Sequence, residues 1–197
     1  MTFKLNSTSE IDDRIKTLFN IWVRISTQKM EFDKLFNNGE EDIQRKEVLL
    51  NDFFIDLQDM YWERFLITIA KLLDPAKQGK FDNLSLFTLS AILKEHNNSG
   101  TIEVLEETEK LKEKFESVIN YRRKNLAHYD VEYTTGSKLF NSSTHIEEIE
   151  SFLNKMIDLI NKTLESLGHA PKSTVVMYPG RFKGAAALNR ILNSVEV

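Results

Sequence analysis

The sequence predicts an all-α protein, an up-and-down bundle of about five long helices with a C-terminal basic extension. Three observations lead there. Seven glycines and three prolines in 197 residues leave the chain few places to turn. Apolar residues recur at helical spacing through five long segments, with clusters of Asn, Gly, Ser or Pro between them. A composition of 41% hydrophobic and 28% charged residues suits a globular chain that encloses a core.

The first helix is expected from about Ser7, where Ser7-Thr8-Ser9-Glu10 forms a capping box. Ile11, Ile15, Leu18, Trp22, Ile25, Phe32 and Phe36 line one face until Asn37-Asn38-Gly39. The second runs from about Asp42 to Leu73, with a wide apolar face from Leu50 onward, and Asp74-Pro75 ends it. Asn83 opens a third, through Leu86, Leu89, Ile92 and Leu93, closed by His96-Asn97-Asn98-Ser99-Gly100. The fourth is expected as one helix from about Glu103 to Leu126, charged at first and then apolar at Phe115, Val118 and Ile119. Thr144-His145-Ile146-Glu147 reads as another capping box, opening a fifth helix through Phe152, Met156, Leu159, Ile160 and Leu164. Gly168 and Pro171 end that one.

Residues 1–168 therefore read as the bundle and 169–197 as a basic arm. The arm holds Lys172, Arg181, Lys183 and Arg190, and its first acid is Glu196. Of 26 basic and 30 acidic side chains, those four and that one lie beyond Leu167, leaving 22 and 29 before it. Val175-Val176-Met177-Tyr178 fits a short strand or an extended arm, and Ala185 to Leu192 a last short helix.

Composition excludes much chemistry. The absence of cysteine removes disulfide frameworks, thiol nucleophiles and Cys-ligated zinc or iron–sulfur sites. A net charge of −4 argues against a broad basic face for duplex DNA, though not against a local basic site. No apolar run approaches the length of a membrane span and the N-terminus has no apolar leader, so a cytoplasmic protein with no membrane partner is expected. Asp52, Asp56, Asp59 and Glu63 share one face of the second helix, as di-metal sites in bundles require. None of the four histidines has a Glu or Asp three positions earlier, so the stripe reads as a solvated or partner-facing surface, and neither metal nor cofactor is expected. His96, His145 and His169 lie at helix ends and read as capping or surface residues.

The segment Tyr121-Arg122-Arg123-Lys124-Asn125-Leu126-Ala127-His128-Tyr129-Asp130 stands apart, with three cations and a histidine in seven residues of an acidic protein. Its plainer reading is a basic helix C-terminus that offsets the helix dipole. Its sharper reading follows from what RNA cleavage without a metal needs. A group titrating near neutral pH must take the 2′-hydroxyl proton, and a fixed cation must stabilise the charge that develops on phosphorus. His128 is suited to the first task and an arginine to the second. On an ideal helix Arg122 shares the apolar face of Phe115, Ile119 and Leu126, so it needs an acidic partner or lines a dimer cleft. His128 lies roughly 120° from Arg122 and 140° from Arg123 at about 100° per residue. A site within one chain thus requires the helix to end or distort before His128; otherwise a second chain must complete it.

Arg122 or Arg123 followed by His128 resembles the signature of the HEPN superfamily of helical ribonucleases and RNA-binding domains. Arg122 to Asp130 looks like the Arg-Asn-Lys-x-Leu-Ala-His-x-Asp of its abortive-infection, AbiU-type branch. Tyr61-Trp62-x-Arg64-Phe65 through Leu72-Leu73-Asp74, with Leu84-Ser85-Leu86, is similar to that branch's central segment. The resemblance covers roughly Ile11 to Leu167. It implies a HEPN-like bundle that dimerises, bringing two Arg–His motifs into one cleft of a metal-independent endoribonuclease of the toxin or phage-defence kind. RNA, a second copy and an antitoxin protein are the partners it implies. Carried over, His128 is the general base or acid and Arg122 or Arg123 the phosphate-binding cation. Asp130 would orient the histidine or an arginine, and Lys124 and Asn125 would add phosphate contacts. The residue after the motif arginine, commonly Asn or Asp in the family, is Arg123 or Lys124 here. Two alternatives stand beside this reading. One is a non-catalytic HEPN module that binds RNA, a nucleotide or a protein. The other is a structural helical dimer whose basic arm docks on its partner's acidic stripe.

Overall fold

A computed structural model describes residues 8–36, 40–126 and 145–174, together with positions 185 and 188. Among them the chain is helical apart from one small hairpin. Helix α1 spans Thr8–Phe36 and α2 Glu40–Leu72, followed by strands β1 (Lys77–Gln78) and β2 (Phe81–Asp82). Then come α3 (Phe87–Glu95), α4 (Thr101–Lys114), α5 (Glu116–Tyr121), a π-helical segment (Arg122–Leu126) and α6 (Ile146–Ser166). None of these helices is long and apolar enough to cross a membrane. The chain forms two compact units, residues 1–22 with 66–174 and residues 23–65 with 175–197.

In the first unit the core follows the helical periodicity. Ile11, Ile15, Leu18 and Trp22 of α1 are buried, as are Leu66, Ile69 and Leu72 of α2 and Phe152, Met156 and Ile160 of α6. The Trp22 indole meets its one polar need inside this core by donating to the Leu153 carbonyl at 2.9 Å. Helices α3, α4 and α6 pack on one another. Their surfaces are joined by ion pairs from α4 to α6, Glu103 with Lys162, Glu107 with Lys155 and Lys114 with Glu148. Residue numbers rise along α4 as they fall along α6, so the two helices run antiparallel.

Helix ends are set by local chemistry. Asn97 at φ 49° and Gly168 at φ 78° take left-handed conformations just past α3 and α6. In each case the following amide reaches back five residues, Asn98 to the Leu93 carbonyl at 3.0 Å and His169 to that of Leu164 at 2.8 Å. The Asn98 side chain then ties the α3–α4 turn to the end of α6. It donates to the Ser166 carbonyl at 2.7 Å and accepts from the Gly100 amide at 2.8 Å. The turn packs closely at Gly100, where an added Cβ would stand 2.9 Å from Ser166 Oγ and would force that hydroxyl to shift.

Three sequence expectations are corrected here, and one element is added. The segment after α2 is a hairpin, with Lys77 opposite Asp82 and Gly79 at φ 62° in its turn. Two-residue strands carry no periodicity that a sequence can display. Helix α3 begins at Phe87, four residues after Asn83, because Asn83 closes the hairpin through its side chain to the Pro75 carbonyl at 2.9 Å. The capping box of α6 sits one residue later than expected. His145, in extended backbone, is the N-cap and donates its amide to the Glu148 carboxylate at 3.2 Å. The expected fourth helix is three pieces, broken at Phe115 and changing to π winding at Arg122. Neither break has a glycine or proline. Phe115 leaves helical geometry where its buried ring meets Phe152 edge-on at 5.3 Å, a contact between residues far apart in sequence. Ser7 and Thr144 of the expected caps lie outside the described residues, as does most of the basic arm.

In the second unit rings carry the packing. Phe32 lies 4.8 Å from Phe36, 6.0 Å from Phe65 and 6.1 Å from Tyr61, centroid to centroid. The buried Lys46 amine donates to the Leu35 carbonyl in the last turn of α1 and sits 5.7 Å from the Phe54 ring centre. A cation there meets both the open carbonyls and the negative end of the helix dipole. Asp52, Asp56, Asp59 and Glu63 are all exposed.

Two predictions follow from these contacts. Asn98→Ala removes both turn bonds and is expected to cost about 1–3 kcal/mol in urea unfolding, with the helical circular dichroism kept. The Lys155 ammonium, 2.6 Å from Glu107, holds that carboxyl below its ordinary range, and Glu107 in turn raises the lysine. A lowered carboxyl pKa contributes stability above its unfolded value and loses it as pH falls through the folded one. Both side chains are partly solvated, so Glu107→Gln is expected to cost only about 0.2–1 kcal/mol at pH 7. That difference from wild type should vanish in unfolding curves taken well below pH 4.

Candidate active site

The cation-rich segment begins where α5 gives way to π winding, at Arg122. A π turn widens the helix by one residue and re-aims the side chains that follow, and such turns occur often at functional sites. The winding changes between Arg122 and His128, where an ideal helix keeps the two apart. Tyr121 and Arg122 are half-buried, and Arg123 and Lys124 are exposed. The side chain of Asn125, and the whole of His128 and Asp130, lie outside the described residues.

Arg122 is held by Asp74. Nη1 donates to Oδ2 at 2.7 Å and Nη2 to Oδ1 at 2.9 Å, a fork-to-fork pair across 48 positions of sequence. The two side chains are 19% and 17% exposed. Asp74 is itself fixed by backbone. Its amide donates to the Lys71 carbonyl at 3.3 Å, Pro75 stops the helix behind it, and the Leu86 amide takes up the Leu72 carbonyl at 2.8 Å. The sequence shows Asp74-Pro75 as a helix terminator, and Asp74 has this second task as well. The one sign of it in sequence is the demand of Arg122, on an apolar helix face, for an acid somewhere in the chain.

Arg123 makes no ion pair with any described residue. The remaining histidines have other places. His96 is the C-cap of α3, His145 the N-cap of α6, and His169 lies 4.0 Å from Asp12 just past Gly168. A cleft of about 520 Å³ lined by Ile15, Lys16, Phe19, Leu164, His169 and Lys172 among others includes no described residue of the cation-rich segment. Among the described residues no group of three or more histidines and carboxylates is placed to hold a metal ion.

The family model of the AbiU2 HEPN domains matches residues 9–180, nearly the whole chain. The chain belongs to that family. The match takes in Asp74 and the full stretch from Arg122 to Asp130, so the all-α bundle and the abortive-infection HEPN assignment stand together. No curated protein and no solved structure matches this HEPN domain.

The pair separates the two arginines by stability. Arg122→Ala leaves the Asp74 carboxylate half-buried without its partner and is expected to cost about 1–3 kcal/mol. Arg123→Ala, at an exposed position, should stay within about 0.5 kcal/mol of wild type. Paired chemical-unfolding curves measure the contrast.

Proposed function

We propose that this HEPN domain is a metal-independent endoribonuclease of abortive infection. One observation carries the reading: within a family-matched segment, a histidine follows three consecutive cations whose first member is pinned by a carboxylate. His128 accepts the proton of a ribose 2′-hydroxyl, and the freed oxygen attacks the adjacent phosphorus. An arginine of the Arg122–Arg123 pair stabilises the added charge on the phosphorane. The 5′-oxygen then leaves, taking up a proton that the His128 imidazolium gives back, and the products are a 2′,3′-cyclic phosphate and a 5′-hydroxyl end. Lys124, Asn125 and Asp130 support the phosphate or the imidazole. Two copies face their motifs toward one cleft, and a partner protein acts as antitoxin. The cytoplasm is where such an enzyme meets its RNA.

A second reading is favoured by one feature. A cation, Arg123 or Lys124, stands where the family commonly has Asn or Asp after the motif arginine, which suits a module that binds RNA without cutting it. One experiment separates the two. Wild type should fragment RNA into 2′,3′-cyclic phosphate ends with EDTA present, and His128→Ala, folded to the same degree, should leave it intact. Cleavage that persists in the variant, or that stops on chelation, overturns the ribonuclease mechanism. Salt-dependent binding without cleavage assigns the domain to the binding class.

A further inference from the structure

We propose that Asp74 is a positioning residue of this site. It holds Arg122 as the cation that meets the transition state, while Arg123 and Lys124 meet the RNA backbone in the ground state. The inference rests on the ribonuclease reading and deepens it by dividing the work among the three cations.

The geometry of the fork carries the division. A guanidinium has five N–H groups. Two of those on Arg122 are spent on Asp74, and the other three have no partner among the described residues. At 19% exposure the side chain keeps an edge in solvent. Among the described residues Arg122 is therefore immobilised, with donors left over for a further acceptor.

Immobilisation is what transition-state stabilisation requires. A donor fixed before the reaction need not reorganise as charge develops, so its full effect falls on the barrier. A diester carries one negative charge and the phosphorane one more, so a cation held in place gains most as the transition state forms. Arg123 has the opposite character. Exposed and without an ion-pair partner among the described residues, it can follow a phosphate backbone and release counterions on contact.

Steady-state cleavage of a fluorophore-labelled single-stranded RNA of mixed sequence tests the division. Asp74→Asn should lower kcat about 10- to 100-fold with KM changed less than about threefold. Asp74→Glu, which restores the charge, should recover part of that loss. Arg123→Ala should act chiefly on KM and reduce the salt slope of RNA binding by about one. The double variant Asp74→Leu with Arg122→Met replaces the pair by apolar groups and should fold, as judged by its melting transition, yet be as deficient in kcat as Asp74→Asn. Should either of these not fold, Arg122→Lys keeps the charge, loses the fork and is expected to show the same kcat loss. Full kcat in a folded Asp74→Asn or in the double variant assigns the pair to folding alone and overturns the inference, leaving the ribonuclease reading intact. A wild type that leaves the RNA uncut overturns both.

Discussion

A carboxylate at the end of α2 and a guanidinium at the break after α5 meet through two hydrogen bonds of 2.7 and 2.9 Å. Much of the site depends on that meeting. The pair lies in a shell that is neither fully wet nor dry, where each charge is costly alone and the two together are well satisfied. It sits where the helical winding changes. Upstream of Arg122 the chain follows ordinary helical periodicity into the core through Val118 and Ile119. From Arg122 the winding widens and the following cations face solvent.

Everything that fixes Asp74 therefore bears on the site. Pro75 ends α2 one residue beyond it, and the hairpin of Lys77–Gln78 and Phe81–Asp82 returns the chain so that the Leu86 amide bonds the Leu72 carbonyl. Thr88 completes the turn, donating its hydroxyl to the Asn83 carbonyl at 2.9 Å and accepting from the Ser85 amide at 3.1 Å. These are small local bonds, each worth on the order of 1 kcal/mol. Their joint effect is to hold one carboxylate still.

Charge distribution explains why the segment is conspicuous. The body of the protein is acidic, with acids of α2 exposed as a stripe and acids of α4 used in bonds to α6. Against that background three consecutive cations at Arg122, Arg123 and Lys124 stand out, two of them exposed.

Periodicity, caps and terminators are local properties, and the sequence by itself determined what depends on them. The all-α class, the core faces of α1, α2 and α6, and the ends at Asn97 and Gly168 all follow from spacing and residue type within a few positions. The cation cluster was equally legible, because composition within ten residues is visible without a fold. What only the tertiary structure decided depends on pairs distant in sequence. Asp74 reaches Arg122 across 48 positions, and Phe115 leaves its helix where it meets Phe152. An arginine on an apolar face announces that it needs an acid, but thirty acidic residues could answer. The free energy of a buried ion pair depends on where both charges sit in space, and that position exists only once the chain is folded.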